Sequence, residues 1–174
     1  MPGKPFPALE GFYGLMYLYM EPVSTMIPAL IIFLSPNGAA WFHGELVPGP
    51  EPTTTLDPRS LMAIWQLSCC FCLLGLLSAF GFRAVRDSLP NNPVAQERII
   101  GAALKALAIG DVAHIVVTIM ATPQEILRDP SSWNGTFMGN IPFTFLLLAG
   151  RLCWFAGIGR KTYYYSVSSR VKAQ

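Results

Sequence analysis

Charged residues are scarce in this sequence of 174 residues, where Asp, Glu, Lys and Arg together make up 13%. Hydrophobic residues make up 52%, more than an average soluble domain carries. The net charge is only +2, so the chain lacks the basic footprint of a nucleic-acid-binding protein. The composition favours a membrane protein with the lipid bilayer as its main partner.

Patterns for metal and nucleotide binding are also lacking. Three of the four cysteines, Cys69, Cys70 and Cys72, fall in one apolar run, where they are typical small helix residues. Neither of the two histidines lies near them at a spacing that would suggest zinc. No phosphate loop, dinucleotide fingerprint or nucleophile elbow occurs. We therefore expect neither a metal nor another cofactor.

Four apolar segments are long enough to cross a bilayer, which takes about 20 helical residues. We predict an all-α, integral membrane four-helix bundle that forms one domain over residues 1–174. Its helices would cover about residues 11–34, 60–82, 98–121 and 141–159. Residues 83–97 would form a polar connection with a turn at its centre.

The distribution of basic residues predicts the orientation of the bundle. The loops after the first and third spans carry only Arg59 and Arg128, offset by acidic residues. The positive-inside rule then places the remaining segments and both termini in the cytosol, with their basic residues Lys4, Arg83, Arg86, Arg98, Arg160, Lys161, Arg170 and Lys172. The sequon Asn134-Gly-Thr136 falls on the predicted lumenal side, and we expect an endoplasmic reticulum protein.

Polar side chains recur inside the predicted spans, where one charged residue costs at least about 2.5–3.5 kcal/mol. Asp111 and His114 are three residues apart and share one helical face. Depth counted at about 1.5 Å per residue places members of all four spans in the middle-to-lumenal half. These are Glu21, Gln66, Asp111, His114, Asn140, Thr144 and Arg151.

Acid–base chemistry is the chemistry that this polar layer offers. Interhelical hydrogen bonding explains single residues such as Gln66 and Thr144, but not two carboxyls, an imidazole and an arginine together. We expect Arg151 to lie level with Glu21 and to pair with one carboxylate, while an unpaired carboxyl keeps a proton and acts as an acid. The predicted catalytic residues are Glu21, Asp111 and His114. The predicted substrate-binding residues are Tyr17, Trp65, Gln66, Asn140 and Arg151, although aromatic residues in such spans more often pack or anchor at the interface.

Motifs along nearly the whole chain resemble a family of small fungal membrane proteins. They are Tyr17-Leu-Tyr-Met-Glu-Pro-Val-Ser24, Gly110-Asp-Val-Ala-His114, Trp133-Asn134, Gly139-Asn140 and Gly150-Arg151. The layout is similar to that of the emopamil-binding, sterol-isomerase-like proteins. Some such proteins of fungal polyketide pathways look like the membrane epoxide hydrolases and cyclases of the aurovertin, citreoviridin and asteltoxin type. The resemblance implies a site with Glu21, Asp111, His114, Asn140 and Arg151. Met138 departs from the aromatic residue that the family places before the glycine.

The resulting expectation is a membrane enzyme that opens an epoxide of a hydrophobic polyketide without a cofactor. A terpene or meroterpenoid cyclase, or a sterol-type double-bond isomerase, would use the same acid without an activated water. A non-enzymatic lipid- or sterol-binding protein is a further alternative. The sequence leaves open which carboxyl is the acid and whether the chain forms a homo-oligomer.

Overall fold

The computed structural model describes residues 5–49 and 54–165. This part of the chain is helical and contains no strand, as the sequence predicts. Four of its helices are long and apolar enough to cross a membrane, which indicates an integral membrane protein. In chain order the helices are α1 (Phe12–Leu34), α2 (Gly38–Glu45), α3 (Pro58–Ser88), α4 (Pro93–Ala121), α5 (Gln124–Arg128) and α6 (Gly135–Phe155), of which α2 and α5 are the short ones. Lys4, Arg170 and Lys172 lie outside the described residues.

The helix ends differ from the predicted ones because polar residues cap and extend the helices. The predicted polar connection of residues 83–97 is wrong, since α3 continues to Ser88 and α4 begins at Pro93. The Asn92 side chain accepts a hydrogen bond from the Ala95 N–H at 3.0 Å, which caps α4, and Pro93 suits the first helical position. Asn134 caps α6 in the same way, so α6 begins six residues before the predicted 141.

The long helices form two pairs. α1 packs along α3, and α4 packs along α6. The pairs meet at one end near residues 89–92, which we call the turn end. They also meet at the other end near residues 35–49, 54–57 and 122–134, which we call the loop end. At the loop end, α2 contacts the first turn of α6, and Asn134 Nδ2 donates a hydrogen bond to the Glu45 carbonyl at 3.0 Å.

The turn end holds the larger apolar core. Its buried residues come from the N-terminal segment and from α1, α3, α4 and α6. Two hydrogen bonds tie the N-terminal part of the chain to α6 and the residues after it: Trp154 Nε1 donates to the Ala8 carbonyl at 2.8 Å, and Tyr13 Oη donates to the Ile158 carbonyl at 2.6 Å. The two helix pairs are held together at the turn end and the loop end. The space between the pairs, away from these contacts, can therefore hold a site.

Candidate active site

Three helices meet at a buried ion triad centred on Arg151 of α6. Arg151 Nη2 lies 2.7 Å from Oε1 of Glu21 in α1, and its Nη1 lies 2.5 Å from Oδ2 of Asp111 in α4. The side chain of Arg151 is 1% exposed, that of Glu21 6% and that of Asp111 12%. A guanidinium presents its donors in a fixed fork, so one arginine can bind two carboxylates from opposite sides. The triad links the two helix pairs.

The structure contradicts the expected division into one paired and one unpaired carboxyl. Both Glu21 and Asp111 contact Arg151, one on each terminal nitrogen. The difference between paired and unpaired groups is instead found between the two carboxyl oxygens of Glu21. Among the residues that the structure describes, Glu21 Oε2 is buried and has no hydrogen-bond partner. This oxygen therefore keeps an unused hydrogen-bonding capacity beside the cavity, while Oε1 holds the ion pair.

A π-helical turn precedes the triad residue on α1. The turn covers Met16–Met20, and regular helix resumes at Glu21, followed by Pro22. The hydroxyls of Ser24 and Thr25 donate to the Glu21 carbonyl at 2.9 Å and 3.1 Å. An extra residue in one turn rotates every later side chain relative to a regular helix, and such turns are frequent at functional sites. The local sequence thus sets the direction in which Glu21 projects.

Tyr17 lies beneath the triad and supports it. Its ring is completely buried, and the Arg151 guanidinium carbon lies 5.5 Å from the ring centroid, a cation–π contact. A Cβ atom on Gly150 would stand 2.8 Å from Tyr17 Oη, so glycine at that position makes room for the Tyr17 hydroxyl. Tyr17 does not line the cavity described next. Tyr17 therefore supports the Arg151 guanidinium and does not take the predicted substrate-binding position.

A cavity of about 1190 Å³ lies between the two helix pairs, from the triad to the loop end. Most of its lining is apolar and comes from all four long helices and α2. The predicted polar residues that line it are Glu21, Asp111, His114, Asn140, Thr144 and Arg151. A large apolar cavity with a few convergent polar groups is the usual form of a small-molecule site.

His114 and Asn140 form a second polar contact in this cavity. His114 belongs to α4 and Asn140 to α6, and both side chains line the cavity close enough to interact. His114 is one helical turn from Asp111 on the same face of α4, so both project into the cavity. Asn140 belongs to a second π-helical turn, Gly139–Phe143, which contains Pro142. The imidazole is thereby held close to the triad without being part of it.

Gln66 and Trp65 are not brought to this site. Both are exposed, and neither lines the cavity, so the expectation that Gln66 joins the polar layer is wrong. The buried face of α3 carries Ile64 and Ser68, and Gln66 is two residues, roughly 200° of helical rotation, from each. α3 contributes Phe71 and Leu74 to the cavity in place of a polar side chain.

The sequence interpretation missed two parts of the structure. The first is α2, whose Trp41, Phe42 and Glu45 line the loop end of the cavity. The apolar and aromatic cluster at residues 41–43 was the available signal. The second is a fully buried ion pair between Glu97 and Arg160 at the turn end. No group of three or more His, Cys, Asp or Glu side chains that could hold a metal ion occurs within residues 5–49 and 54–165.

One family model matches residues 7–161, nearly the whole chain, and is described as a domain of unknown function, DUF7704. The chain belongs to the DUF7704 family. No curated protein and no solved structure matches the chain. Membership of DUF7704 carries no assigned activity, so the chemistry is inferred from the site itself.

Proposed function

We propose that the protein is a membrane enzyme that opens an epoxide of a hydrophobic small molecule, as a hydrolase or a cyclase. The observation that carries the proposal is the Glu21 carboxyl, which lines an apolar cavity with one oxygen on Arg151 and the other without a hydrogen-bond partner among the described residues. We further propose that both termini lie in the cytosol and that the membrane is the endoplasmic reticulum.

Charge balance explains why one carboxyl of the triad would hold a proton. Two carboxylates and one guanidinium carry a net charge of −1, which is costly in an apolar cavity. One proton makes the triad neutral. If Glu21 holds it, Oε2 faces the cavity as an acid, while Asp111 remains a carboxylate on Arg151. The opposite assignment of the two carboxyls uses the same atoms.

The proposed reaction moves one proton across the site. Glu21 donates its proton to the epoxide oxygen as the carbon–oxygen bond breaks, and a water or an internal hydroxyl forms the new carbon–oxygen bond. The proton of that nucleophile passes to Asp111, directly or through His114. The triad is neutral before and after, because Arg151 contacts both carboxyls and faces one negative charge at each stage. Return of the proton from Asp111 to Glu21 restores the enzyme.

Aromatic side chains favour a second candidate reaction. Trp41, Phe42, Phe71 and Phe143 line the cavity, and aromatic faces stabilise a carbocation. A terpene-type cyclase or a double-bond isomerase would protonate an alkene with the same Glu21 carboxyl and would need no activated water.

Turnover of polyene epoxides by microsomes that contain the protein tests the proposal. Wild-type protein should form a diol or cyclic ether, while Asp111→Asn and His114→Ala should be slower. Positioned proton transfer contributes about 10²–10⁴-fold, which bounds the loss for Asp111→Asn. Gln66→Leu is the matched control. It also removes a polar side chain from a membrane span, but Gln66 does not line the cavity.

Isotope-labelled water separates the candidate reactions. A hydrolase incorporates one labelled oxygen into its product, and a cyclase or isomerase incorporates none. Full activity of Asp111→Asn would contradict the role of Asp111 as the base, and absence of turnover by the wild-type protein would favour a lipid-binding role.

A further inference from the structure

Three glycines line the cavity without a packing reason. A Cβ atom built on Gly110, Gly135 or Gly139 meets no atom within 4 Å. Two other helical glycines are packed closely: a Cβ at Gly75 would stand 2.6 Å from Met26, and one at Gly150 would stand 2.8 Å from Tyr17 Oη. Those glycines let neighbouring elements approach, which is the usual role of glycine in membrane helices.

The cost of glycine makes its presence at the cavity wall informative. Glycine inside a helix is less favourable than alanine by about 0.8–1.0 kcal/mol. Gly110 and Gly139 lie within α4 and α6 and directly precede the site residues Asp111 and Asn140. Since no neighbouring atom fills the space in front of them, the missing side chains widen the cavity beside the polar groups.

A separate observation points to a bound molecule beside this space. Glu21 is only 5% exposed and lines the same cavity, and its Oε2 has no hydrogen-bond partner among the described residues. A buried polar oxygen without a partner is costly, so a bound molecule with a donor or a protonatable oxygen would complete it.

The shape of the cavity indicates the width of that molecule. Spread evenly over the rise of about 24 Å from Gly135 to Arg151, which both line it, a cavity volume of about 1190 Å³ would correspond to a mean cross-section of about 50 Å². This is wider than a single extended alkyl chain. The volume also exceeds the roughly 300–1,000 Å³ of a typical small-molecule site.

We propose that Gly110 and Gly139 are specificity-determining residues that admit a wide apolar body, branched or ring-containing, next to Glu21 and Arg151. Their recesses receive the bulk of the ligand, and its oxygen function lies at Glu21 Oε2. The inference rests on the proposed function only for the identity of that oxygen function, because the width of the ligand follows from the cavity wall.

Two epoxides of different width test this inference by binding alone. The probes are a steroid epoxide, which is wide and rigid, and a linear fatty-acid epoxide, which is narrow. Binding to purified protein is counted by native mass spectrometry in detergent, in a Glu21→Gln background so that turnover does not interfere. Gly110→Leu and Gly139→Leu should weaken binding of the steroid epoxide at least tenfold and change binding of the linear epoxide less than threefold.

Control variants separate the effect of width from loss of fold. Gly81→Leu is the matched control, because a Cβ at Gly81 also meets no atom within 4 Å but Gly81 does not line the cavity. It should leave both affinities unchanged. Gly110→Ala and Gly139→Ala add only a methyl group and favour the helix, and each should weaken steroid binding alone by a smaller factor.

Three results would overturn the inference: equal steroid binding by the Glu21→Gln parent and the leucine variants made in it, equal loss of both probes, or no binding of the steroid epoxide by that parent. Failure of the proposed function gives a different pattern. The width selectivity would persist in these binding data while the wild-type protein turned over neither epoxide.

Discussion

The buried positive charge of Arg151 is stabilised by three neighbouring side chains. Its two terminal nitrogens hold Glu21 and Asp111, and its flat face lies over the buried ring of Tyr17. Tyr17 Oη has no hydrogen-bond partner among the described residues, so the ring rather than the hydroxyl supports the guanidinium. Lysine could not replace this arrangement, because an ammonium lacks both the fork and the flat face.

Substitution of Tyr17 should separate its ring from its hydroxyl. Tyr17→Phe keeps the cation–π contact and removes a buried hydroxyl without a partner, so stability should change by less than about 0.5 kcal/mol or rise. Tyr17→Leu loses the contact, worth about 0.5–2 kcal/mol, and also leaves a cavity. Thermal unfolding of purified protein in detergent measures both. Equal destabilisation by the two variants would show that the hydroxyl has a partner.

Helix starts and π-helical turns determine where the site residues point. Glu21 follows one π-helical turn, and Asn140 lies within another. Asn134 caps α6, and its side-chain amide nitrogen donates a hydrogen bond to the Glu45 carbonyl of α2. One side chain therefore both starts α6 and closes the loop end of the cavity. A helix that started one turn later would lose both contacts.

Two substitutions of Asn134 should resolve its two contacts. Asn134→Asp retains an oxygen that accepts the Phe137 N–H and loses only the donor to Glu45. Asn134→Ala loses both, and loss of an N-cap alone costs about 0.5–2 kcal/mol. The alanine variant should unfold at a lower temperature than the aspartate variant. Equal unfolding temperatures for the two variants would indicate that the tie to α2, and not the cap, dominates.

The sequence predicts which residues of three helices form the site. It does not predict the inward face of α3 or the ends of the helices, for physical reasons. Glu21, Asp111, His114 and Arg151 are spaced so that depth and face can be counted along a helix, and the structure brings them to one cavity. In α3, Gln66 and Ser68 lie on different faces, so the sequence does not define which of them turns inward, and the structure buries Ser68. Residues 83–97 were assigned to a loop because charged residues end an apolar run, although they need not end a helix.

At the scale of the whole molecule, the turn end is closed by a second buried ion pair. Arg160 Nη2 lies 2.5 Å from Glu97 Oε1, and both side chains are completely buried. The guanidinium carbon of Arg160 lies 3.8 Å from the centroid of the Trp154 ring, and the backbone N–H of Tyr163 donates to Glu97 Oε2 at 2.6 Å. The segment after α6 is thereby fixed to the start of α4, which leaves the cavity to the middle and loop end of the bundle.

Breaking this ion pair from one side should be costly. Glu97→Gln leaves Arg160 buried without a counter-charge, and loss of one partner of a buried pair costs about 3–5 kcal/mol. The double variant Glu97→Gln with Arg160→Met removes both charges and should recover part of the loss. Unfolding of the two single variants and the double variant forms a double-mutant cycle. Strict additivity would mean that the pair does not interact in the folded protein.

The most direct test of the account is the rate of epoxide opening by Glu21→Gln relative to wild type and to the Gln66→Leu control. Glutamine keeps the size of the side chain and a hydrogen bond to Arg151 but cannot donate the proton, so the account predicts a loss within about 10²–10⁴-fold at unchanged expression and fold. Gln66→Leu should retain the wild-type rate. A Glu21→Gln protein that opens the epoxide at the wild-type rate would contradict the central claim that this buried carboxyl is the acid.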